Sequence, residues 1–249
     1  MKDWNNFLEE AKKYIPKGIE CEVKMISAVN SLTRFANSHI HQNVEEEVSD
    51  IYLTIHKDGK TITLNSNISI IDSPKRFIEK ALAGVDSSPD DQGWAGMPES
   101  KYSFNGYKEV EPNNPEERAD KVKEFIEVGK DFNAAGYCST SIDHYFVWNT
   151  NGLESSDSTT SAFIDGIFRT DTSSGSSHRG ATSLEDIDSE TAGLEAFKLS
   201  KDSQNPEDID PGKYEVVLGP EAVSTILVFL GVYGFNAKSK IEGTSPIQL

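Results

Sequence analysis

Side chains that could bind a metal or activate a nucleophile are few in this chain and stand far apart. Of its five histidines, only His39 and His41 lie close together, in a stretch rich in β-forming residues. Alternate residues of a strand face the same side, so these two imidazoles could approach one ion. Zinc sites use three or four protein ligands, and no third histidine or cysteine lies nearby in the sequence. We therefore interpret the pair as a polar strand face, and His56, His144 and His178 as solvated side chains.

The thiol and hydroxyl groups show no catalytic spacing either. Cys21 and Cys138 form no C-x-x-C pair and occupy strand-like runs, where a cysteine usually behaves as a small core hydrophobe. We predict that both are reduced and structural. Ser176, Ser177 and His178 adjoin one another, but they lack the strand–turn–helix context that exposes a nucleophilic serine.

The chain is strongly acidic, with a formal net charge of −17 over 249 residues. This charge opposes binding to nucleic-acid phosphates or to an anionic membrane surface, because both need a basic footprint. Glu45, Glu46 and Glu47, like the acidic residues at 86–91, lack EF-hand spacing and are interpreted as solvated faces. A weaker interpretation of the acidity is a partner surface for basic peptides. No signal peptide or transmembrane helix is predicted, so we expect a cytoplasmic protein.

Apolar periodicity predicts an alternation of helices and strands in the first half of the chain. Helices are predicted at residues 3–15 and after Ser73-Pro74, and strands at 21–25, 32–42, 48–55 and 61–65. Asp58-Gly59 predicts the hairpin turn between the last two strands. Residues 86–115 have no lasting period and are predicted to form a long surface excursion.

The second half continues this alternation. Its predicted elements are a helix from Asn114-Pro115, a β-rich block at 135–170, a mobile loop at 171–180, a helix from Ser183 through Lys198 and a polar linker at 202–212. Ser183 and Asp186 resemble a capping box at the start of that helix. Strand runs interleaved with helices indicate an α+β or mixed α/β fold class.

The linker divides the chain into two predicted domains, at residues 1–211 and at 212–249, where only the beginning of the second domain is present. This second part opens with a β-prone run at 214–218 and with Gly219-Pro220, a pair that commonly starts a helix. Residues 222–237 then carry no charged side chain. A helix that is apolar on every side is predicted to be buried, and this one is too short to span a membrane.

Four segments, in this order along the chain, resemble the TldD/PmbA family, whose members are also labelled modulators of DNA gyrase. They are residues 34–42 (RFANSHIHQ), 149–153 (NTNGL), 214–222 (YEVVLGPEA) and 243–245 (GTS). No single segment is decisive, but their joint spacing is specific. The resemblance implies an N-terminal PmbA/TldD-type domain of β-sheets with packed helices, followed by the start of the C-terminal domain.

The catalytic branch of that family is a zinc metallopeptidase with an H-E-x-x-x-H motif on the helix that corresponds to the apolar one here. Counting without gaps from the flanking segments places the motif at Val228, Phe229 and Tyr233. Valine cannot ligate zinc, phenylalanine cannot accept a proton, and tyrosine is a poor ligand. The resemblance therefore implies the PmbA/TldE-like branch. It implies no catalytic, cofactor-binding or metal-binding residue in this chain, and zinc in a TldD-type partner.

The function that follows is a non-catalytic subunit of a TldD-type metallopeptidase assembly that degrades or matures unfolded peptides. Its expected partners are a TldD-type catalytic subunit or a second copy of itself, together with the peptide substrate, and the chain alone is expected to be inactive. Two alternatives stay open. One is a stand-alone peptide-binding or scaffold protein, which an early end at Leu249 would favour. The other, disfavoured by Val228 and Phe229, is a metallopeptidase in its own right.

Overall fold

A computed structural model describes residues 2–71, 73–99, 105–106 and 114–247. The helices are α1 (Lys2–Lys12), α2 (Pro74–Val85), α3 (Pro115–Glu127), α4 (Ser189–Asp202), α5 (Pro220–Phe229) and α6 (Ala237–Ile241). The strands are β1 (Glu20–Ala36), β2 (His39–Lys57), β3 (Lys60–Asn67), β4 (Asn105–Gly106), β5 (Asn133–Asn149), β6 (Glu154–Arg169) and β7 (Ser174–Ala181). The fold class is mixed α+β, as predicted. Residues 100–104 and 107–113 of the predicted excursion lie outside the described ranges.

The strands form one sheet in the order β3-β2-β1-β5-β6-β4, with β7 also paired to β6. The pairings are antiparallel apart from the short one between β4 and β6. Antiparallel neighbours can be joined by tight turns whose central residues have positive φ. Asp58, at φ 51°, and Gly59, at φ 78°, form the predicted turn between β2 and β3.

A second tight turn joins β1 to β2 at Asn37 and Ser38, whose φ angles are 50° and 60°. The prediction of a single strand through residues 32–42 is therefore wrong. The available signal was Asn37, because asparagine tolerates the left-handed conformation better than most residues do. As a result β1 and β2 pair along their length, from Glu20 opposite His56 to Ala36 opposite His39.

Strand β7 occupies most of the segment predicted to be a mobile loop at 171–180, so that prediction is also wrong. The strand pairs with β6 on one side and packs against α4. Gly175 permits this close approach. A Cβ at that position would meet the backbone nitrogen of Ser200 and lie 2.6 Å from Leu199 Cβ.

Capping side chains set where α3 and α4 begin. Helix α3 starts where it was predicted to start, and Asn114 caps it and forms a capping box with Glu117. The predicted capping box at Ser183 is wrong, because α4 begins after Asp188. The carboxylate of Asp188 accepts a hydrogen bond from Thr191 N at 3.0 Å.

Helices α1 to α4 cover one face of the sheet and complete two separate cores. Met25 and Phe35 of β1 are an even number of residues apart and point to this same face, but they belong to different cores. The first core lies under α1 and α2 and includes Trp4, Leu8, Cys21, Met25, Leu53, Ile55 and Ile78. The second lies under α3 and α4 and includes Phe35, Phe125, Cys138, Ile164, Phe168, Ala192 and Ala196.

Both cysteines are free and buried, one in each core. Burial raises the pKa of the Cys21 thiol to about 12 and that of Cys138 to about 11. A thiol with so high a pKa keeps its proton at neutral pH and is a poor nucleophile. The two residues are therefore structural, as predicted.

The C-terminal part departs most from the sequence predictions. Residues 214–218, predicted as a strand, have no regular structure. The single helix predicted at 222–237 is instead α5, a π-helical turn (Leu230–Gly234) and the short α6. The prediction that it is buried is wrong: no residue of α5 is buried, and Phe229 is 57% exposed.

This segment stays exposed because the two cores are complete without it. Ion pairs between described residues join it to the rest of the chain: His178 Nδ1 lies 3.4 Å from Glu221 Oε1, and Lys238 Nζ lies 3.1 Å from Asp91 Oδ1. An all-apolar helix is buried only where another surface covers it, and the described residues leave most of this one uncovered. None of the helices in the described ranges is long and apolar enough to cross a bilayer.

Candidate functional site

The positions that the resemblance assigns to the zinc motif lie together on the exposed C-terminal helix. Val228 and Phe229 end α5, and Tyr233 follows in the π-helical turn. Their exposed fractions are 61%, 57% and 63%, and the rings of Phe229 and Tyr233 stack with centroids 6.1 Å apart. Two of the three side chains have no donor atom for a metal, so these residues do not fit zinc. The surface that they form is apolar and aromatic.

The histidines do not converge on a metal site. Across the described ranges no three His, Cys, Asp or Glu side chains are grouped so as to hold one ion. His39 and His41 are both exposed on β2, and His39 Nδ1 lies 2.6 Å from the carbonyl oxygen of Asn37. His56 stacks on Trp94 with 4.6 Å between ring centroids. His56 and His144 are both half-buried, so they are less exposed to solvent than the prediction implies.

The adjoining residues Ser176, Ser177 and His178 belong to β7 and not to a nucleophile turn. Ser177 is buried, and its hydroxyl donates to Glu195 Oε2 at 3.0 Å. Arg179 Nη2 lies 2.6 Å from Glu195 Oε1. The hydrogen bonds from Arg179 and then from Ser177 hold the pKa of Glu195 below its ordinary value. The Ser177 hydroxyl is thus fixed between β7 and α4, and His178 points to the opposite face of the strand.

A line of polar side chains crosses the helix-covered face of the sheet between the two cores. Ser49, Ser27, His144 and Ser158 occupy paired positions on four neighbouring strands. Ser49 Oγ lies 3.1 Å from Ser27 Oγ, and His144 Nδ1 lies 2.9 Å from Ser158 Oγ. In a catalytic triad the serine contacts Nε2 of the base, so contact through Nδ1 is that of a structural pair. The sequence analysis did not predict this line of polar side chains. The signal that could have indicated it is the presence of polar residues in the middle of long strands.

The outer edge of β2 has no partner among the described strands along the first part of its length. β3 pairs only with residues 50–57, so within the described ranges residues 39–49 pair with β1 alone. Across the described ranges no backbone hydrogen bond from another element reaches this outer edge. Glu45, Glu46 and Glu47 lie exposed along it. An open edge of this kind can accept a further strand.

The described part of the surface excursion is anchored to the sheet by Glu20, at the start of β1. Its carboxylate accepts hydrogen bonds from Trp94 Nε1 at 2.7 Å and from Met97 N at 3.1 Å. These bonds, that of Trp94 foremost, hold the pKa of Glu20 below its ordinary value although partial burial opposes the shift. Asn149 extends the anchor by donating to the carbonyl oxygen of Pro98 at 2.9 Å.

Replacing Glu20 by glutamine is expected to lower the free energy of unfolding by about 1–2 kcal/mol at neutral pH, because a charged acceptor makes the stronger hydrogen bonds. The pKa of Glu20 is lower in the folded chain than in the unfolded one. The carboxylate therefore stabilises the fold above the unfolded pKa and loses this effect as pH falls through the folded pKa. Urea unfolding at a series of pH values should show a difference that is full at neutral pH and shrinks in acid. The assignment would be contradicted by a difference in unfolding free energy that does not change with pH. An equal difference in the control variant Glu207→Gln, in the exposed linker, would contradict it as well.

No protein-family model matches the chain, and no curated protein sequence does. Solved structures do match. A protein named as a modulator of DNA gyrase from Bacteroides thetaiotaomicron has a TM-score of 0.75 and 15% identity, over 94% of this chain and 56% of that one. Another of the same description, from Thermotoga maritima, has a TM-score of 0.60 and 21% identity, over 85% and 50%. TldE from Thermococcus kodakarensis has a TM-score of 0.61 and 17% identity, over 80% and 47%.

At these identities the likeness concerns the fold, and a fold alone does not specify an activity. The chain spans about half the length of the solved structures that it matches. Within that span the resemblance inferred from the sequence is confirmed: the chain has the fold of the gyrase-modulator and TldE proteins of the TldD/PmbA family.

Proposed function

We propose that the protein is a non-catalytic, TldE-like subunit of a TldD-type metallopeptidase assembly that degrades or matures unfolded peptides. The observation that carries the proposal is an apolar surface on the helix where the catalytic branch has its zinc motif. Val228, Phe229 and Tyr233 cannot supply the metal chemistry, so zinc and the hydrolytic step belong to the partner. The fold shared with TldE supports the same role.

The apolar surface is what a partner subunit would cover. Its exposed members are Ile226, Leu227, Val228, Phe229, Leu230, Val232, Tyr233 and Phe235. Continuous exposed apolar surface marks protein interaction sites, and the centres of stable interfaces are enriched in aromatic residues. Residues 222–237, which form this surface, carry no charged side chain, so it can be desolvated without burying a charge of its own.

Co-expression with a TldD-type protein tests the proposal. We expect the two chains to co-elute, with zinc in the complex and hydrolysis of an unstructured peptide only when the TldD-type chain is present. Phe229→Asp should abolish co-elution, because it places an unpaired charge in the interface. The matched control is Leu199→Asp, on an exposed side chain of α4 that is 52% accessible, which should leave co-elution unchanged.

Two results would overturn the proposal. Stoichiometric zinc and peptide hydrolysis in the chain purified alone would make it a metallopeptidase in its own right. Equal loss of co-elution in Phe229→Asp and Leu199→Asp would show that the apolar helix is not the contact surface.

A second candidate function is a stand-alone peptide-binding or scaffold protein, and the open outer edge of β2 is the observation that favours it. The same co-expression separates the two functions. Absence of association with any TldD-type protein, with peptide binding retained by the chain alone, would favour the scaffold.

A further inference from the structure

The open edge of β2 is long enough to pair with an extended peptide. In an antiparallel strand every second residue directs its N–H and C=O groups to the same side. The register with β1 shifts at His41, so the regular series of donors and acceptors runs over residues 42–49. At about 3.3 Å per residue this regular part extends over about 26 Å. β3 pairs with residues 50–57 of the same edge, so a peptide on residues 39–49 would lie in line with β3.

Both faces of this edge are acidic. Glu45 faces the helix-covered side, where its Oε2 atom accepts from the hydroxyl of buried Ser31 at 3.0 Å. Glu47 faces the same side, and Glu46 faces the other side together with Val44, which is 42% exposed. Among the described residues these three glutamates form no ion pair. The buried guanidinium of Arg118 donates to Asn43 Oδ1 at 3.2 Å on the helix-covered side and lies near Glu45. A strand added here would therefore meet the negative charge of Glu47 on that side and of Glu46 on the other.

This negative charge determines which kinds of strand can pair favourably with the open edge. Antiparallel pairing of two copies centred on the glutamates would place like charges opposite one another, which destabilises a strand pair. A lysine or arginine at those cross-strand positions would instead form favourable pairs, and an apolar residue could pack beside Val44. We propose that residues 39–49 bind an extended, lysine- or arginine-bearing peptide segment as an added antiparallel strand. The inference rests on the peptide-handling part of the proposed function and names the class of peptide.

The test uses the chain alone, so its outcome is independent of whether a peptidase partner binds. The probe is a fluorescein-labelled peptide of about nine residues, long enough to span most of the open edge, with lysine alternating with valine and threonine. We expect saturable binding by fluorescence anisotropy, and slower amide hydrogen exchange at residues 39–49. Glu46→Gln combined with Glu47→Gln should raise the dissociation constant about five- to tenfold, the effect of losing two exposed ion pairs.

The controls separate strand addition from general attraction to an acidic chain. Glu207→Gln combined with Asp208→Asn removes the same charge from the exposed linker and should leave the dissociation constant unchanged. A peptide N-methylated at alternate residues cannot donate its backbone hydrogen bonds and should bind at least about tenfold more weakly. The proposal is overturned if no binding occurs, if the N-methylated or a glutamate-substituted peptide binds equally well, if both double variants lose affinity equally, or if exchange slows elsewhere.

Discussion

Replacing Phe125 by alanine is expected to lower the free energy of unfolding by about 3–5 kcal/mol, the cost of deleting a large aromatic side chain from a packed core. Phe125 is fully buried on α3. Its ring stacks on Phe168 at 5.3 Å and lies 5.7 Å from the ring of Phe35. It also fills the space above Gly166, where an added Cβ would lie 2.6 Å from Phe125 Cε1. Urea unfolding followed by circular dichroism measures the loss.

The matched substitution is Phe229→Ala, on a phenylalanine that is 57% exposed. It is expected to change the free energy of unfolding by no more than about 0.5 kcal/mol, as for most surface positions. A loss in Phe229→Ala as large as that in Phe125→Ala would mean that the C-terminal helix packs into a core. The sequence-based prediction that this helix is buried would then be correct.

The features that could be predicted from sequence are those decided by a few adjacent residues. The turn at Asp58-Gly59 and the start of α3 at Asn114 follow from backbone preferences that act within a few residues. The amphipathic first helix and its place in a core follow from local periodicity. For the same reason the α+β class was predictable without knowledge of any strand pairing.

The features that could not be predicted depend on distant partners. Ser-rich β7 is a strand only because β6 supplies its hydrogen bonds and α4 packs against it at Gly175. The apolar run at 222–237 looks like a core helix because hydrophobicity shows what a helix can bury, but not whether a surface is there to cover it. Sequence periodicity does not show whether such a covering surface is present.

The two candidate surfaces, the apolar C-terminal helix and the open edge of β2, also differ in whether they could be predicted from the sequence. That valine and phenylalanine at positions 228 and 229 cannot bind zinc could be inferred from residue types alone, once the resemblance assigned the positions. The acidity at Glu46 was visible as well. The open edge was not, since it exists because β3 is shorter than β2 and ends opposite Asp50. Strand order and strand length together make this edge, and neither is encoded locally.

Replacing Gly136 by alanine is expected to destabilise the fold by about 3 kcal/mol, at the upper end of the range for overpacked sites. Gly136 lies in β5, opposite Gly166 of β6 and Phe35 of β1. A Cβ there would meet the carbonyl oxygen of Asp165 and lie 2.8 Å from both Gly166 Cα and Phe35 Cζ. Two of these neighbours are backbone atoms held by the β5–β6 ladder, so they cannot rotate away as a side chain can. Thermal unfolding and urea titration both measure the effect.

Gly231→Ala is the matched control, because a Cβ at Gly231 would meet no atom within 4 Å. In its helical position alanine should leave stability unchanged or raise it by up to about 1 kcal/mol. If Gly136→Ala were as well tolerated as Gly231→Ala, the close approach of β5 and β6 would be wrong. The packing of Phe125 above Gly166 would then be wrong as well, since both depend on the same unfilled space between these two strands. Gly136→Ala and Phe125→Ala therefore test one arrangement from opposite directions, the first by adding an atom to the second core and the second by removing a ring from it.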